Sequence, residues 1–210
     1  MPAATPIARS KTAALARVID SIPKGYVRYA CGTVNASKAI VLANKFHGLY
    51  GIGCTPAQRI TRKKHGKANA LLVMYWPEGA DSVHWLMLFT AGNGTEAEQL
   101  RHVMDKHRLQ WLGYELVRHS ARGPSAWTWR RPKAEMAEHY AMLSEALATH
   151  QHGVVADALS RFANQPGFHG IREQSWALCQ EARRRGYPGE LPHLFYVQKV
   201  SHGERLLLHP

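Results

Sequence analysis

The sequence predicts an α+β protein: a ferredoxin-like sheet-and-helix domain followed by a helical C-terminal extension. Within the first 130 residues, the predicted strands and helices follow the order βαββαβ with one extra strand, which is the order of ferredoxin-like domains. After residue 132 the chain instead carries long stretches with helical periodicity. We therefore expect a basic α+β domain over residues 1–132, and a helical extension with a short terminal strand over residues 133–210.

The first elements are predicted to be an amphipathic helix, a strand and a second helix. Apolar residues between positions 5 and 22 share one helical face, and Pro23 ends this helix. Residues 26–34 (YVRYACGTV) are rich in β-branched and aromatic side chains, which is typical of a strand. Residues 37–46 (SKAIVLANKF) follow a capping residue and predict a helix that stops at the glycines after it.

A hairpin and another helix are predicted next. Residues 69–76 and 83–90 have the composition of buried strands, and the sequence PEGAD between them is a turn. A second turn, AGNGT, precedes a helix expected over residues 96–106, because Thr95 and Glu98 form a capping box.

The remaining chain is predicted to hold strands and then helices. Residues 109–119 and 126–132 predict two strands joined by the loop SARGPS. Helical periodicity extends from residue 133 to about residue 164, and the sequence QPGFHG separates it from a further helix over residues 171–185. The segment LFYVQKV near the C-terminus predicts a short strand.

Positive charge is concentrated at the start of the chain. The 210 residues include 27 Lys and Arg against 15 Asp and Glu, a net charge of +12 with His neutral. Residues 1–77 hold twelve of these cations and one acid, Asp20, whereas residues 78–210 are close to neutral. An asymmetry of this size predicts a polyanionic partner, DNA or RNA.

The centre of this charge is the stretch GIGCTPAQRITRKKHGKAN, residues 51–69, which contains no acid. A nucleotide-binding loop is not expected, because the glycines lack the Lys-Ser/Thr of a P-loop and do not open a helix after a strand. Thr55 as N-cap and Pro56 in the first turn instead predict a short helix. Its helical spacing brings cations together for phosphate contacts: Arg59, Arg62, Lys63, Lys64 and Lys67.

Further residues are predicted to extend this surface. Aromatic rings exposed beside arginines on a sheet can stack on bases, although aromatic residues in strands more often belong to the core. A basic helix face can also be no more than a solvated surface. The supporting residues are expected to be Arg28, Lys38, Lys45, Tyr26, Tyr29, Arg130 and Arg131, with Trp127 and Trp129 as further stacking candidates.

No complete catalytic motif is recognisable. A two-metal nuclease needs clustered carboxylates, which the basic third lacks, and a nuclease of the HUH kind needs paired histidines where this strand has His84 alone. The histidine pairs in the sequence show no third ligand, so neither a metal site nor a cofactor is expected. A metal-independent ribonuclease stays an alternative, with His47, His65 or His119 as a proton donor or acceptor.

Four segments carry a resemblance over most of the chain: FHGLYGIGCTPAQRITRKKHGKANALLVMYW, WLGYELVRH, WTWRRPKAEMAEHY and ANQPGFHGIREQSWALCQEARRRGYPGELPHLFYVQK. They resemble uncharacterised proteins carried on plasmids and integrative mobile elements of proteobacteria. The resemblance implies a setting of replication, transfer or defence, and it implies no activity and no site residue.

Together these patterns predict a nucleic-acid-binding protein that contacts mainly the phosphate backbone and reads little sequence. We expect a subunit of a mobile-element replication, transfer or CRISPR-like nucleoprotein complex, with protein partners, rather than an enzyme by itself. Three scattered cysteines, no signal-peptide pattern and no long apolar run predict a cytoplasmic protein without a membrane partner. A protein-interaction or inhibitor module that binds no nucleic acid is the second alternative.

Overall fold

The computed structural model describes residues 3–119, 126–197 and 204–209. The chain divides into two compact units, Met1–His107 with Val200–Pro210, and Arg108–Lys199. The strands that follow Arg108 therefore group with the C-terminal helices, whereas the sequence predicts a boundary after residue 132. The predicted loop at residues 120–125 lies outside the described residues.

The elements are numbered in chain order. The strands are β1 (Ala4–Ala8), β2 (Arg28–Asn35), β3 (Ala70–Tyr75), β4 (Ser82–Phe89), β5 (Arg101–His102), β6 (Gln110–Trp111), β7 (Tyr114–His119), β8 (Ala126–Arg130) and β9 (Arg205–Leu207). The helices are α1 (Lys11–Ser21), α2 (Ala39–Tyr50), α3 (Pro56–Lys64), α4 (Lys133–Ala148), α5 (His152–Ala163) and α6 (His169–Arg184). Short 3₁₀ turns at Ile22–Lys24 and Ala36–Lys38 follow α1 and precede α2.

The first unit is built on a six-stranded mixed sheet with the order β5-β2-β4-β3-β1-β9. Strands β1 and β3 are parallel, and the other neighbouring strands are antiparallel. Helix α2 covers one face through an apolar cluster that includes Phe46, Tyr50, Leu72, Met87 and Phe89. Mixed α/β structure is thus observed, but the ferredoxin-like order is not confirmed.

Two predictions fail in this unit. The helix expected over residues 5–21 is a strand followed by a helix: β1 pairs with β3 and β9, and Ser10 then caps α1 by accepting a bond from the N–H of Ala13 (3.2 Å). The helix expected over residues 96–106 is replaced by turns and β5. Its capping box does not form, because the Glu98 carboxylate accepts the hydroxyl of Tyr50, and the Glu96 carboxylate accepts the N–H of Gly94 (2.8 Å).

The second unit contains a three-stranded antiparallel sheet, in the order β6-β7-β8, and the helices α4, α5 and α6. The helices enclose an apolar cluster that includes Leu143, Val155, Leu159, Leu178 and Cys179. The predicted helical C-terminal part is therefore observed, as separate helices with a break at Thr149–Gln151 rather than one run. Residues 194–197 of the predicted terminal strand form no strand, and its residues 198–200 lie outside the described residues.

Among the described residues, no helix combines the length and the apolar character that a membrane crossing would need.

Candidate nucleic-acid interface around helix α3

Helix α3 begins as its sequence predicts. The hydroxyl oxygen of Thr55 accepts a hydrogen bond from the N–H of Gln58 (3.3 Å), and the Gln58 side chain accepts one from the N–H of Thr55 (2.8 Å). Pro56 occupies the first turn. This reciprocal capping box satisfies two N–H groups that a short helix would otherwise leave without a partner, so α3 has a defined start.

Arg59 is half-buried and bonds to groups of the protein itself. Its guanidinium donates to the carbonyl oxygens of Cys54 (3.1 Å), Ile52 (3.0 Å) and Ala70 (3.2 Å), and to the hydroxyl of Tyr26. These bonds join α3 to the loop before it and to the start of β3. Five donors in a planar fork allow one side chain to hold so many acceptors, which a lysine could not do.

Arg62 has a similar position one turn later. Its Nη2 donates to the carbonyl oxygen of Ala68 (2.8 Å), and its buried Nε has no partner among the described residues. The Asn69 side chain donates to the carbonyl oxygen of Arg59 (3.0 Å), so the end of the basic stretch is bonded back to α3. Arg59 and Arg62 therefore brace the basic stretch, whereas the sequence predicts them on its contact face.

The lysines of the basic stretch, Lys63, Lys64 and Lys67, differ from these two arginines. All three side chains are exposed, and none forms an ion pair with any residue that the structure describes. Ile60, on the same helix, is also exposed. The stretch therefore separates its cations into inward arginines that hold the backbone and outward lysines that remain free for an external anion.

The loop that follows β4 supports the end of the basic stretch. Gly92 has a φ of 138°, and a Cβ atom there would lie 2.5 Å from the backbone nitrogen of Ala68. The N–H of Ala68 donates to the carbonyl of Asn93 (3.0 Å), and the N–H of Asn93 donates to the carbonyl of Gly66 (2.8 Å). Backbone hydrogen bonds thus hold both sequence neighbours of Lys67, Gly66 and Ala68.

The predicted supporting residues of the first unit divide into exposed and buried groups. Lys38 and Lys45 are exposed, without an ion pair among the described residues. Arg28 is half-buried, and its Nη2 donates to the carbonyls of Thr90 (2.9 Å) and Gly92 (3.0 Å). Tyr26 and Tyr29 are buried rather than exposed, so neither ring offers a free face for stacking on a base in this conformation.

The predicted residues of the second unit are engaged internally. Arg130 pairs with Glu115 (3.0 Å), and Arg131 is fully buried. Trp129 is fully buried and Trp127 lies beside Arg118, whose guanidinium carbon is 5.7 Å from the ring centroid. These residues build the second unit, and their availability for nucleic acid stays a prediction.

Two of the three histidines proposed for proton transfer, His47 and His65, lie in the first unit. The Nδ1 of His47 accepts the N–H of Gly53 (3.2 Å), which orients its ring at the end of α2. His65 is exposed at the C-cap of α3. No hydrogen bond joins either ring to a hydroxyl or carboxylate among the described residues, so no acid–base pair is assembled there.

One residue that the sequence analysis passes over is Arg17 of α1. It lines a cleft of about 270 Å³ together with Lys24, Tyr26, Arg59 and Asp20. Burial, followed by repulsion from Arg59 and Arg205, lowers the pKa of Arg17 to about 10, and its buried Nε has no partner among the described residues. The cleft therefore concentrates positive charge that an anion would neutralise. The signal in the sequence was weak: an arginine at the margin of the apolar face of α1.

No family of known proteins, no curated protein and no solved structure shows a match to this chain.

Proposed function

We propose that the first unit binds DNA or RNA through its phosphate backbone, with α3 at the centre of the contact surface. The observation that carries the proposal is the exposure of Lys63, Lys64 and Lys67 on a braced segment, without an acid to pair with among the described residues. Because neighbouring carboxylates do not neutralise these lysines, their charge is available to displace counterions from phosphates.

The bracing supports binding as well as folding. The bonds from Arg59 and Arg62 hold the backbone of α3 in place before any ligand arrives, so little ordering has to accompany binding. Lysine ammonium groups on flexible stems contact phosphates as point charges and carry little information about base identity. We therefore expect affinity with weak sequence preference.

The cleft at Arg17 adds a second contact point. Lys24 and Arg59 line it together with Arg17, and Asp20 is the acid among its lining residues. A phosphate in the cleft would offset the repulsion that Arg59 and Arg205 exert on Arg17. Lys38 and Lys45 remain predicted peripheral contacts.

The proposal also includes the kind of complex in which the protein works. We expect the chain to work as a subunit of a mobile-element replication, transfer or CRISPR-like complex, and not as an enzyme by itself. Cleavage of bound RNA or DNA in the presence of EDTA would favour the ribonuclease alternative. Partner capture that survives nuclease treatment, without any nucleic-acid binding, would favour the interaction-module alternative.

The test is equilibrium binding to single- and double-stranded DNA and RNA across a salt series. The triple variant Lys63→Ala, Lys64→Ala, Lys67→Ala is compared with the wild type. On duplex DNA each lost phosphate contact should flatten the slope of log K against log salt by about 0.9, so we expect a change of about 2 to 3.

A charge-matched control separates local contacts from net charge. Lys106, Lys133 and Arg161 are exposed and lie away from α3 in sequence, so their triple alanine variant removes the same charge. The slope should change little in this control. An equal change in both triple variants, or no binding to any of the four nucleic acids at low salt, would overturn the proposal.

A further inference from the structure

Three potential metal ligands meet in the second unit. The Nδ1 atoms of His119 and His169 lie 3.8 Å and 3.6 Å from the same carboxylate oxygen of Glu173, Oε2. The two imidazole rings have their centroids 4.0 Å apart. One ligand atom from each residue lies within 4.8 Å of the others. The three side chains therefore converge on one point at the surface.

The separations are close to those of a bound metal. Zn²⁺ binds nitrogen and oxygen ligands at roughly 2.0–2.2 Å, so two ligands in a tetrahedral site lie about 3.3 Å apart. The two observed distances to Glu173 exceed that value by a few tenths of an ångström. The ligand atoms of all three residues lie within 4.8 Å of one another, and the side chains are partly or fully exposed, so they can change rotamer without displacing the core.

The backbone that carries these ligands is regular and closely packed. His119 ends β7, and His169 and Glu173 lie one turn apart at the start of α6. Next to His169, the N–H of Gly170 donates to the hydroxyl of Thr128 in β8 (3.0 Å). A Cβ atom at Gly170 would lie only 2.7 Å from the carbonyl oxygen of Trp129, so α6 starts directly against the sheet. This contact holds the ligands of α6 beside the end of β7.

We propose that His119, His169 and Glu173 bind a divalent transition-metal ion, with Zn²⁺ as the best fit. Two imidazoles and one carboxylate are a ligand set that suits Zn²⁺ and excludes neither Co²⁺ nor Ni²⁺, whereas Mg²⁺ and Ca²⁺ prefer oxygen ligands alone. Three protein ligands leave a fourth position, which is open to water because His169 and Glu173 are exposed. The proposal does not depend on nucleic-acid binding by the first unit.

The three ligands do not form a recognisable metal-binding motif in the sequence. His169 and Glu173 are an i, i+4 pair, but His119 lies 50 positions earlier, which is why the sequence predicts no metal ligand set. An i, i+4 pair alone would be an ordinary helical ion pair. The chain contains such a pair on α4, where His139 and Glu135 lie 3.3 Å apart without a third ligand among the described residues. That pair is the matched control.

The test is titration of the full-length chain, purified without a polyhistidine tag, with Zn²⁺ by calorimetry and with Co²⁺ by visible absorption. We expect one ion per chain. The variants His119→Gln, His169→Gln and Glu173→Gln should each weaken Zn²⁺ binding at least about tenfold and reduce the Co²⁺ absorption, because each removes a ligand. Glu135→Gln should leave both readouts unchanged.

Folding of the variants is checked by thermal unfolding without metal, in which the ligand variants should match the wild type. Added Zn²⁺ should stabilise the wild type and Glu135→Gln more than the three ligand variants. Absence of saturable binding in the wild type, or binding that persists in all three ligand variants, would overturn the proposal. An equal loss in Glu135→Gln would also overturn it, since that variant leaves the three ligands in place.

Discussion

The guanidinium of Arg59 donates a hydrogen bond to the hydroxyl of Tyr26, although the sequence predicts both residues to face a bound nucleic acid. The same guanidinium holds three backbone carbonyls, so its positive charge is used to fix the position of α3. These residues are therefore expected to affect binding through the fold, and through the cleft at Arg17 that both of them line. Lys63 and Lys64 of the same helix should act on binding directly.

Replacement of Arg59 by alanine should destabilise the first unit by about 2 to 4 kcal/mol, because several half-buried acceptors lose their donor at once. Tyr26→Phe removes one bond and should cost about 1 kcal/mol. Hydrogen exchange of the β3 and β4 amides measures the stability of this unit by itself. Lys64→Ala is the control and should stay within about 0.5 kcal/mol. A loss in Arg59→Ala no larger than in Lys64→Ala would show that the network is not needed for stability.

Gly92 should tolerate no side chain. Its φ of 138° is rare for other residues, and a Cβ atom would lie 2.5 Å from the nitrogen of Ala68 and 2.7 Å from the carbonyl carbon of Lys67. Because both neighbours are backbone atoms, Gly92→Ala should cost about 3 kcal/mol or more. Gly94→Ala is the matched control: Gly94 also has positive φ, at 91°, but open space around it, so about 1 kcal/mol is expected. Equal losses by denaturant unfolding would contradict the steric argument.

Local signals predict α3 well and the neighbouring segments poorly. The start of α3 depends on Thr55, Pro56 and Gln58, which lie within four positions of one another. The segment after Thr95 carries a similar local signal, but its Glu98 bonds to Tyr50, which is 48 positions away. A long-range contact of this kind overrides a cap and cannot be seen in a short window of sequence.

Strand β1 and the orientation of the basic side chains also depend on contacts that are distant in sequence. Strand β1 is extended because Pro6 pairs with Arg205, near the other end of the chain. The pattern of the basic stretch identifies its cations, but it cannot tell that Arg59 and Arg62 face inward, because that depends on carbonyls supplied by other segments. Composition thus predicts the charge of the surface, while tertiary structure decides which side chains belong to it.

In the second unit, Arg131 should matter far more for stability than its neighbour Arg130. Arg131 is fully buried, and its guanidinium donates to the side chains of Gln165 (2.8 Å) and Ser175 (2.9 Å). Burial lowers the pKa of Arg131, but its hydrogen bonds keep the charged group satisfied. Arg131→Ala should cost more than about 3 kcal/mol, since it leaves a cavity and unpaired polar groups.

Arg130→Ala is the control, because it removes the adjacent arginine, which is the last residue of β8. Arg130 forms a partly exposed ion pair with Glu115 (3.0 Å), and such pairs contribute about 1 kcal/mol or less. Thermal unfolding followed by the near-ultraviolet signal of the tryptophans compares the two variants. If Arg130→Ala proved as destabilising as Arg131→Ala, burial would not be the deciding property.

The stability of the first unit should fall at high pH through Tyr50. Burial, then the hydrogen bond to Glu98 and the charge of that carboxylate, raise the pKa of Tyr50 from 10.0 to about 12. Because the folded state holds this proton more tightly than the unfolded state, the stabilisation is complete below pH 10 and is lost as the pH rises toward 12. Tyr50→Phe should remove this part of the pH dependence.

The variant Glu98→Gln separates the charge of the carboxylate from the other causes of this pKa shift. An amide oxygen can still accept the hydroxyl of Tyr50, but it carries no negative charge, so the pKa of Tyr50 should rise less than in the wild type. The loss of stability should then still begin near pH 10, but it should be smaller and should end at a lower pH than in the wild type. Denaturant midpoints of the wild type, Tyr50→Phe and Glu98→Gln between pH 9 and pH 12 measure how much stability each protein loses. If Glu98→Gln followed the wild-type curve, burial alone would account for the shift, and the carboxylate would have no part in it.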